Sequence, residues 1–163
     1  MAGISQKERL QPSLLDRLRS DEDDRGFSEQ RLRESVKRDL AWLFNTTNFA
    51  SVQDLSEYPE VARSVINFGL PSLAGLVASG LKTSELQEAL RKAIVDFEPR
   101  LARSSVRVSL EKDQSQMNHN ALVFTIAAEL WAQPLPLHIL LRTQVDLESG
   151  GVQVLEAGAG QRP

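Results

Sequence analysis

Apolar residues follow two different periods along this chain, and the change of period predicts its architecture. As far as about residue 97 they recur every three or four positions, as on one face of a helix. Beyond about residue 105 they alternate with polar residues, as in a half-buried strand. Helices first and strands afterwards are typical of an α+β domain. We therefore predict N-terminal helices followed by an antiparallel four-stranded meander.

Three helices are predicted in the body of the chain. The first begins after the cap residue Ser28 and ends near Phe44, a short one begins at Pro59, and the last begins near Thr83. Pro99 forces the last helix to end near Phe97. Their apolar positions are Leu32, Val36, Leu40 and Leu43, then Val61, Val65 and Ile66, then Leu86, Leu90, Ile94 and Phe97.

The first 26 residues differ from the rest. A narrow apolar stripe predicts an amphipathic helix of about two turns, which is marginal in water alone and must dock on its own domain or on a partner. The stripe consists of Leu10, Leu14, Leu15 and Leu18. The acidic run Asp21–Asp24 then suits a solvated linker. We predict that residues 1–26 are this peptide and linker, that residues 27–156 form one domain, and that residues 157–163 are a disordered tail.

Four strands are predicted in the C-terminal half. Val106 to Leu110 mark the first, and residues 121–132 form the second. The third ends in an alternation that stops at Leu147, and Val152 opens the fourth. Gly150 and Gly151 predict a two-residue hairpin turn between the third and fourth strands.

The second strand is apolar on both faces, whereas a one-sided antiparallel sheet should alternate. Between Gln114 and Leu141 the one acidic or basic side chain is Glu129. Two explanations fit: a central strand with helices on one face and other cover on the second, or a second face covered by a different protein. Pro134 and Pro136 end the run and suit an edge or a long connection.

The composition of the chain excludes several classes of function. A chain of 163 residues suits one domain, and a net charge of -3 does not mark a nucleic-acid binder. The absence of cysteine excludes disulfides, thiolate zinc sites and cysteine nucleophiles. The sequence contains no run of 18 apolar residues, so no membrane span is predicted. The first residues lack the apolar core of a signal peptide, so we expect a cytoplasmic protein.

Catalytic patterns are poorly supported. His119 and His138 are the only histidines, no Gly-x-Ser-x-Gly elbow is present, and Ser79 to Lys82 match Ser-x-x-Lys without its companion motifs. No acidic or histidine cluster has helix-face spacing for a metal, and no glycine-rich phosphate loop follows a strand, so no cofactor is predicted. Glycoside hydrolysis needs two carboxylates across a sugar bond. Carboxylates that are close in sequence, as Asp96 and Glu98 are, seldom provide that arrangement.

The segment Phe97–Leu101 contains an acid where a helix ends. Carboxylates are unfavourable at that end, so Glu98 needs a partner, which is Arg100, Arg103 or a cation on another protein. Glu98 precedes a proline and favours an extended backbone. If the segment continues extended, Glu98 and Arg100 lie on one side of it. The alternative is a proline helix stop with incidental surface charges.

Several segments together resemble the TssE family of type VI secretion, which belongs with the phage baseplate wedge proteins. The resemblance covers roughly residues 9–156, and Thr47, Phe68 and Ser72 depart from the residues usual in the family. The matching segments are Pro12–Leu18, Ser35–Thr46, Ser64–Pro71, Phe97–Leu101, Glu129–Ala132 with Pro134–Leu137, and Val145–Gly150.

The resemblance implies a structural subunit of a contractile-injection baseplate that is not an enzyme. Its implied partners are the wedge subunits TssF and TssG, with TssK nearby, and the sheath subunits TssB and TssC. It would help to assemble the baseplate at the inner membrane and initiate sheath polymerisation by strand addition at a sheet edge. In the family the Glu-Pro-Arg motif supports these contacts, and its residues here are Glu98, Pro99 and Arg100. Further candidate contact residues are Leu14, Leu15, Leu18, Phe124 and Trp131.

Two other functions stay open at this point. The family has carried a lysozyme-like label, so a peptidoglycan hydrolase that uses Glu98 is the main alternative. A stand-alone regulatory or binding domain is the other.

Overall fold

The computed structural model describes residues 13–19, 29–72, 83–111, 121–131 and 136–156. Helices occupy the first part of this range, and none of those described is long and apolar enough to cross a membrane. Short 3-10 turns at Phe49–Ser51 and Val65–Asn67 accompany them. The helices are α1 (Leu14–Arg19), α2 (Glu29–Phe44), α3 (Pro59–Ala62) and α4 (Thr83–Phe97).

The strands form one antiparallel sheet in the order β1-β2-β3-β4, so each strand pairs with the next along the chain. This arrangement confirms the predicted α+β class and the four-stranded meander. The strands are β1 (Arg107–Leu110), β2 (Ala121–Leu130), β3 (Leu137–Asp146) and β4 (Val152–Glu156).

The core lies between the sheet and the helices α2 and α4. Both helices present the apolar faces expected from their periodicity, since Leu40 of α2 and Leu90 of α4 are fully buried. Alternate residues of the strands meet them, among them Ile126 and Leu141, which pair across β2 and β3. Phe124 belongs to this set and is fully buried, because its position in β2 faces the helices. Its predicted role as a contact residue is corrected, since its side chain offers no surface to a partner.

The apolar character of β2 follows from its central position. Its even-numbered residues from Phe124 to Leu130 are buried, and the residues between them are half-buried. Those half-buried positions carry small side chains such as Thr125 and Ala127, which the register places beside strands β1 and β3. The structure thus shows β2 as a central strand with helices on one face, and the cover of its second face stays a prediction.

The helix predicted from Pro59 is shorter than expected. It ends at Ala62, and the hydroxyl of Ser64 accepts a hydrogen bond from the backbone of Ile66, which starts a separate 3-10 turn. Val65 and Ile66 are consequently exposed. The residue that turns inward is the buried Asn67, whose side chain bonds Ala50 and Ala62.

The hairpin between β3 and β4 also differs from the prediction. Five residues, Leu147–Gly151, separate the two strands rather than the two glycines alone, and Gly150 adopts a φ of 71°. The carboxylate of Asp146 accepts hydrogen bonds from the backbone of Glu148 and Ser149, which lowers the pKa of Asp146 and stabilises the longer turn. A prediction based on the two glycines alone does not include these hydrogen bonds to the Asp146 side chain.

Several predictions lie outside the described residues. They concern Leu10, the cap residue Ser28, the acidic linker, Pro134 and the tail after Glu156. The domain boundaries at 26 and 156 stay predictions.

Candidate interaction site at the Glu-Pro-Arg turn

The segment after α4 turns back instead of continuing extended. The backbone N–H of Glu98 donates the last helical hydrogen bond to the carbonyl of Ile94 (2.9 Å). The backbone N–H of Leu101 then donates to the carbonyl of Glu98 (3.2 Å). Pro99 lies in this turn and is exposed. The carbonyl of Arg100 accepts from the backbone of Trp131 (2.8 Å), so the turn is fixed to the end of β2. The conditional expectation of an extended segment is thereby corrected.

The carboxylate of Glu98 is partnered by Arg100 of the same chain. Its Oε1 accepts from the backbone N–H (3.0 Å) and Nε (2.8 Å) of Arg100, and its Oε2 accepts from Nη2 (2.6 Å). The Glu98 side chain is only 5% exposed. Incidental surface charge does not describe such a buried pair, whose two parallel bonds fix the guanidinium plane.

Arg100 also joins the turn to α2. Its Nη2 donates to Asp39 Oδ2 (2.6 Å), and its Nη1 donates to the buried hydroxyl of Ser35 (3.0 Å). Burial works to lower the pKa of Arg100, but the hydrogen bonds and charges of Glu98 and Asp39 outweigh it and raise that pKa. The guanidinium therefore stays charged at a site where an unpaired cation would be costly.

A second arginine extends the cluster to α1. Arg38 donates to Asp39 Oδ1 (2.7 Å) and to Asp16 Oδ1 (2.5 Å). Asp16 Oδ2 accepts a hydrogen bond from the hydroxyl of Ser35 (2.5 Å), and the same hydroxyl accepts from Arg38 and Arg100. The bond from Arg38 lowers the pKa of Asp16 despite partial burial, which acts in the opposite direction. We call these five charged residues and Ser35 the charge cluster: Asp16, Ser35, Arg38, Asp39, Glu98 and Arg100.

The charge cluster holds α1 by its polar side. Leu14 and Leu18 of that helix face outward and are 68% and 75% exposed. A helix this short gains little from its own hydrogen bonds, so the Asp16 contacts are what fixes it to α2. The predicted contact residues Leu14, Leu15 and Leu18 are thus available at the surface.

A groove of about 490 Å³ opens beside the charge cluster, between α1, α2 and the end of α4. Asp39, Glu98, Pro99 and Arg100 lie along it. Phe68 and Phe97 meet edge to face in it, with ring centroids 5.4 Å apart. Its apolar lining is Leu15, Leu40, Trp42, Leu43, Phe68 and Phe97.

Trp42 connects the groove to the charge cluster. The guanidinium carbon of Arg38 lies 4.9 Å from the centroid of its ring, and the indole is 49% exposed. Trp131, the other tryptophan, is 57% exposed beyond the end of β2 and touches the site through its backbone bond to Arg100.

Sequence reasoning missed four members of the charge cluster, namely Asp16, Ser35, Arg38 and Asp39. Ser35 and Asp39 are 65 and 61 residues from Arg100 along the chain, and Asp16 reaches Arg38 across 22. The available signal is their spacing on α2, because positions 35, 38 and 39 share one side of a helix. That side borders the apolar face, where charged residues need partners.

The geometry defines an α+β protein whose charged groups are engaged with one another beside an open apolar groove. A family model described as baseplate wedge protein gp25 matches residues 30–135, roughly two thirds of the chain. The chain belongs to this family of baseplate wedge proteins, which confirms the resemblance found in the sequence. No curated protein and no solved structure matches it. The family assigns it to the baseplate of a phage tail-like assembly.

Proposed function

We propose that this protein is the baseplate wedge subunit of a type VI secretion system, where it helps to assemble the baseplate and initiates polymerisation of the contractile sheath. Its wedge partners are TssF and TssG, with TssK nearby, and its sheath partners are TssB and TssC. It acts in the cytoplasm, within a baseplate docked at the inner membrane. The family supports the wedge role, and the resemblance of the chain to TssE supports the secretion system.

The observation that carries the proposal is the groove beside the charge cluster. An apolar groove with a fixed charged rim suits a partner segment that brings an apolar side chain into contact with Trp42 and Phe97. Because Glu98 and Arg100 are already paired, they bring no unsatisfied charge into the interface. The proposed role of the Glu-Pro-Arg turn is therefore to hold the shape of this groove, to which the partner binds.

The geometry gives no support to a hydrolase. Both oxygens of Glu98 accept hydrogen bonds from Arg100, and Asp96 lies 3.5 Å from Lys92 on α4, outside the charge cluster. A glycosidase needs two carboxylates that face each other across the scissile bond. We therefore propose a structural protein without catalytic activity. Purified protein that degrades peptidoglycan, and loses that activity in Glu98→Gln, would contradict this.

Complementation tests the proposal in cells. A secretion-competent strain that lacks its own wedge subunit receives the wild-type chain, Trp42→Ala or Tyr58→Ala, and fluorescent TssB reports sheath assembly. We expect sheaths with the wild type and at least about tenfold fewer with Trp42→Ala, because the variant loses an exposed aromatic anchor of the groove. Tyr58 is similarly exposed, at 57% against 49% for Trp42, and does not line the groove, so Tyr58→Ala is the matched control. Normal sheath assembly by Trp42→Ala would exclude the groove as the binding surface.

A further inference from the structure

The charge cluster contains one more carboxylate than it has guanidinium groups. Three carboxylates, on Asp16, Asp39 and Glu98, share the two arginines Arg38 and Arg100. Among the described residues that line the groove the excess is the same, since Asp39 and Glu98 are accompanied by Arg100 as the only cation. A concave apolar surface with a net negative charge attracts a cation. The groove therefore favours a basic partner segment over an acidic one.

The carboxylates differ in how much of their acceptor capacity is used. An ionised carboxylate has about four acceptor positions. Glu98 accepts three hydrogen bonds from Arg100, and its side chain is 5% exposed, so a partner cannot reach what remains. Asp16 accepts four hydrogen bonds and does not line the groove. Neither of these two carboxylates is a good acceptor for a further partner.

Asp39 differs from both of them. Its Oδ1 accepts from Nε (2.9 Å) and Nη2 (2.7 Å) of Arg38. Within the described part of the chain, its Oδ2 accepts from Nη2 of Arg100 alone (2.6 Å). The side chain is 22% exposed and lies along the groove. Asp39 Oδ2 can thus accept one more hydrogen bond, from a donor that enters the groove.

We propose that the wedge partner inserts a lysine into this groove, with its ammonium group on Asp39 Oδ2 and its stem packed on Trp42. The inference rests on the proposed function and specifies the chemistry of the partner segment. Lysine fits because its ammonium is a compact charge that needs a single acceptor, whereas the fork of arginine needs two oxygens. A neutral segment in the same place would bury the excess negative charge without compensation.

The stem of the lysine has apolar surface on which to pack. Trp42 follows Asp39 by three positions on α2, so the two side chains are neighbours on one side of the helix. The indole is 49% exposed even with Arg38 against its ring. Long basic side chains bury their methylene groups on apolar surface and keep the charged end at a polar rim. One lysine therefore contacts both the apolar and the charged part of the groove.

The salt dependence of binding tests the inference on the full chain with a TssF–TssG complex. In titration calorimetry the affinity of the wild type should fall by at least about threefold between about 50 and about 500 mM salt, because salt screens the contact between Asp39 and the lysine. Asp39→Asn keeps the size of the side chain and removes its charge. It should bind at least about tenfold more weakly at the lower salt concentration and respond less to salt. A merely structural role of Asp39 would lower stability and leave the salt dependence unchanged.

Glu111→Gln is the matched control. Glu111 pairs with Arg142 on the sheet and does not line the groove. The variant removes the same charge from an arginine pair, so it also controls for the change in net charge. Its affinity and its salt dependence should equal those of the wild type.

A zero-length cross-link identifies the partner residue without a variant. A carbodiimide joins a carboxylate to an amine in contact with it and does not join it to a guanidinium. In the wild-type complex we expect Asp39 to be joined to a lysine of TssF or TssG, located by mass spectrometry of the digested complex. This measurement decides the question even if Asp39→Asn does not fold.

Two results would overturn the inference and leave the proposed function standing. One is wild-type binding whose salt dependence is unchanged in Asp39→Asn, and the other is a wild-type complex in which no lysine is joined to Asp39. A wild-type chain that does not bind TssF–TssG refutes the proposed function itself, and the inference with it.

Discussion

The side chain of Glu98 is almost fully buried, and Arg100 supplies the three hydrogen bonds that its oxygens accept. Removal of one partner from such a pair leaves an uncompensated buried charge. We expect Glu98→Ala or Arg100→Ala to lower the free energy of unfolding by about 3 kcal/mol or more, measured by urea denaturation. The double variant should be no less stable than either single variant, because the two residues are coupled. Losses that simply add would refute the coupling.

Thr143 is the residue whose burial is least well compensated. Its hydroxyl is fully buried in β3 and has no hydrogen-bond partner within the described part of the chain. Thr143→Val removes that polar group at nearly constant volume, so we expect a gain of about 1 kcal/mol in the free energy of unfolding. Thr125→Val, on the half-buried face of β2, serves as control and should change stability less. A loss of stability in Thr143→Val would indicate that the hydroxyl is satisfied.

At the scale of elements, α1 depends on one carboxylate. Hydrogen bonding to Arg38 holds the pKa of Asp16 below its ordinary value of 3.8. A depressed pKa contributes stability that is fully present above the unfolded-state pKa and is lost as pH falls through the folded one. We therefore expect α1 to stay docked above about pH 4 and to detach progressively at lower pH.

Tryptophan fluorescence measures this detachment. Arg38 stacks on Trp42, so release of Asp16 should change the emission of Trp42 in a Trp131→Phe background. Asp16→Asn should show the acid-state emission already at pH 7. Glu88→Gln, which removes an exposed carboxylate of α4, is the control. An Asp16→Asn variant with the wild-type emission at pH 7 would mean that other contacts hold α1.

The helices α2 and α4 could be predicted because their apolar faces are periodic and bury the same residues that define the period. The region after Pro59 could not, because Ser64 and the buried Asn67 determine its turns through polar contacts. Within the candidate site, Glu98 and Arg100 were predictable as a local pair. Ser35 and Asp39 were not, because only the packing of α2 against the end of α4 brings them to Arg100.

The whole molecule carries two separate surfaces on different elements. The groove lies between α1, α2 and the end of α4, and the outer edge of β4 begins at Asn45. Under the proposed function, a subunit that joins a wedge to a sheath needs two such surfaces.

Binding of the purified chain to a TssF–TssG complex tests the central claim most directly. Titration calorimetry should give binding by the wild type and by Tyr58→Ala with equal affinity. Trp42→Ala should bind at least about tenfold more weakly while it keeps the wild-type circular dichroism spectrum. Equal affinity of all three proteins, or no binding by the wild type, would contradict a wedge subunit that binds through this groove.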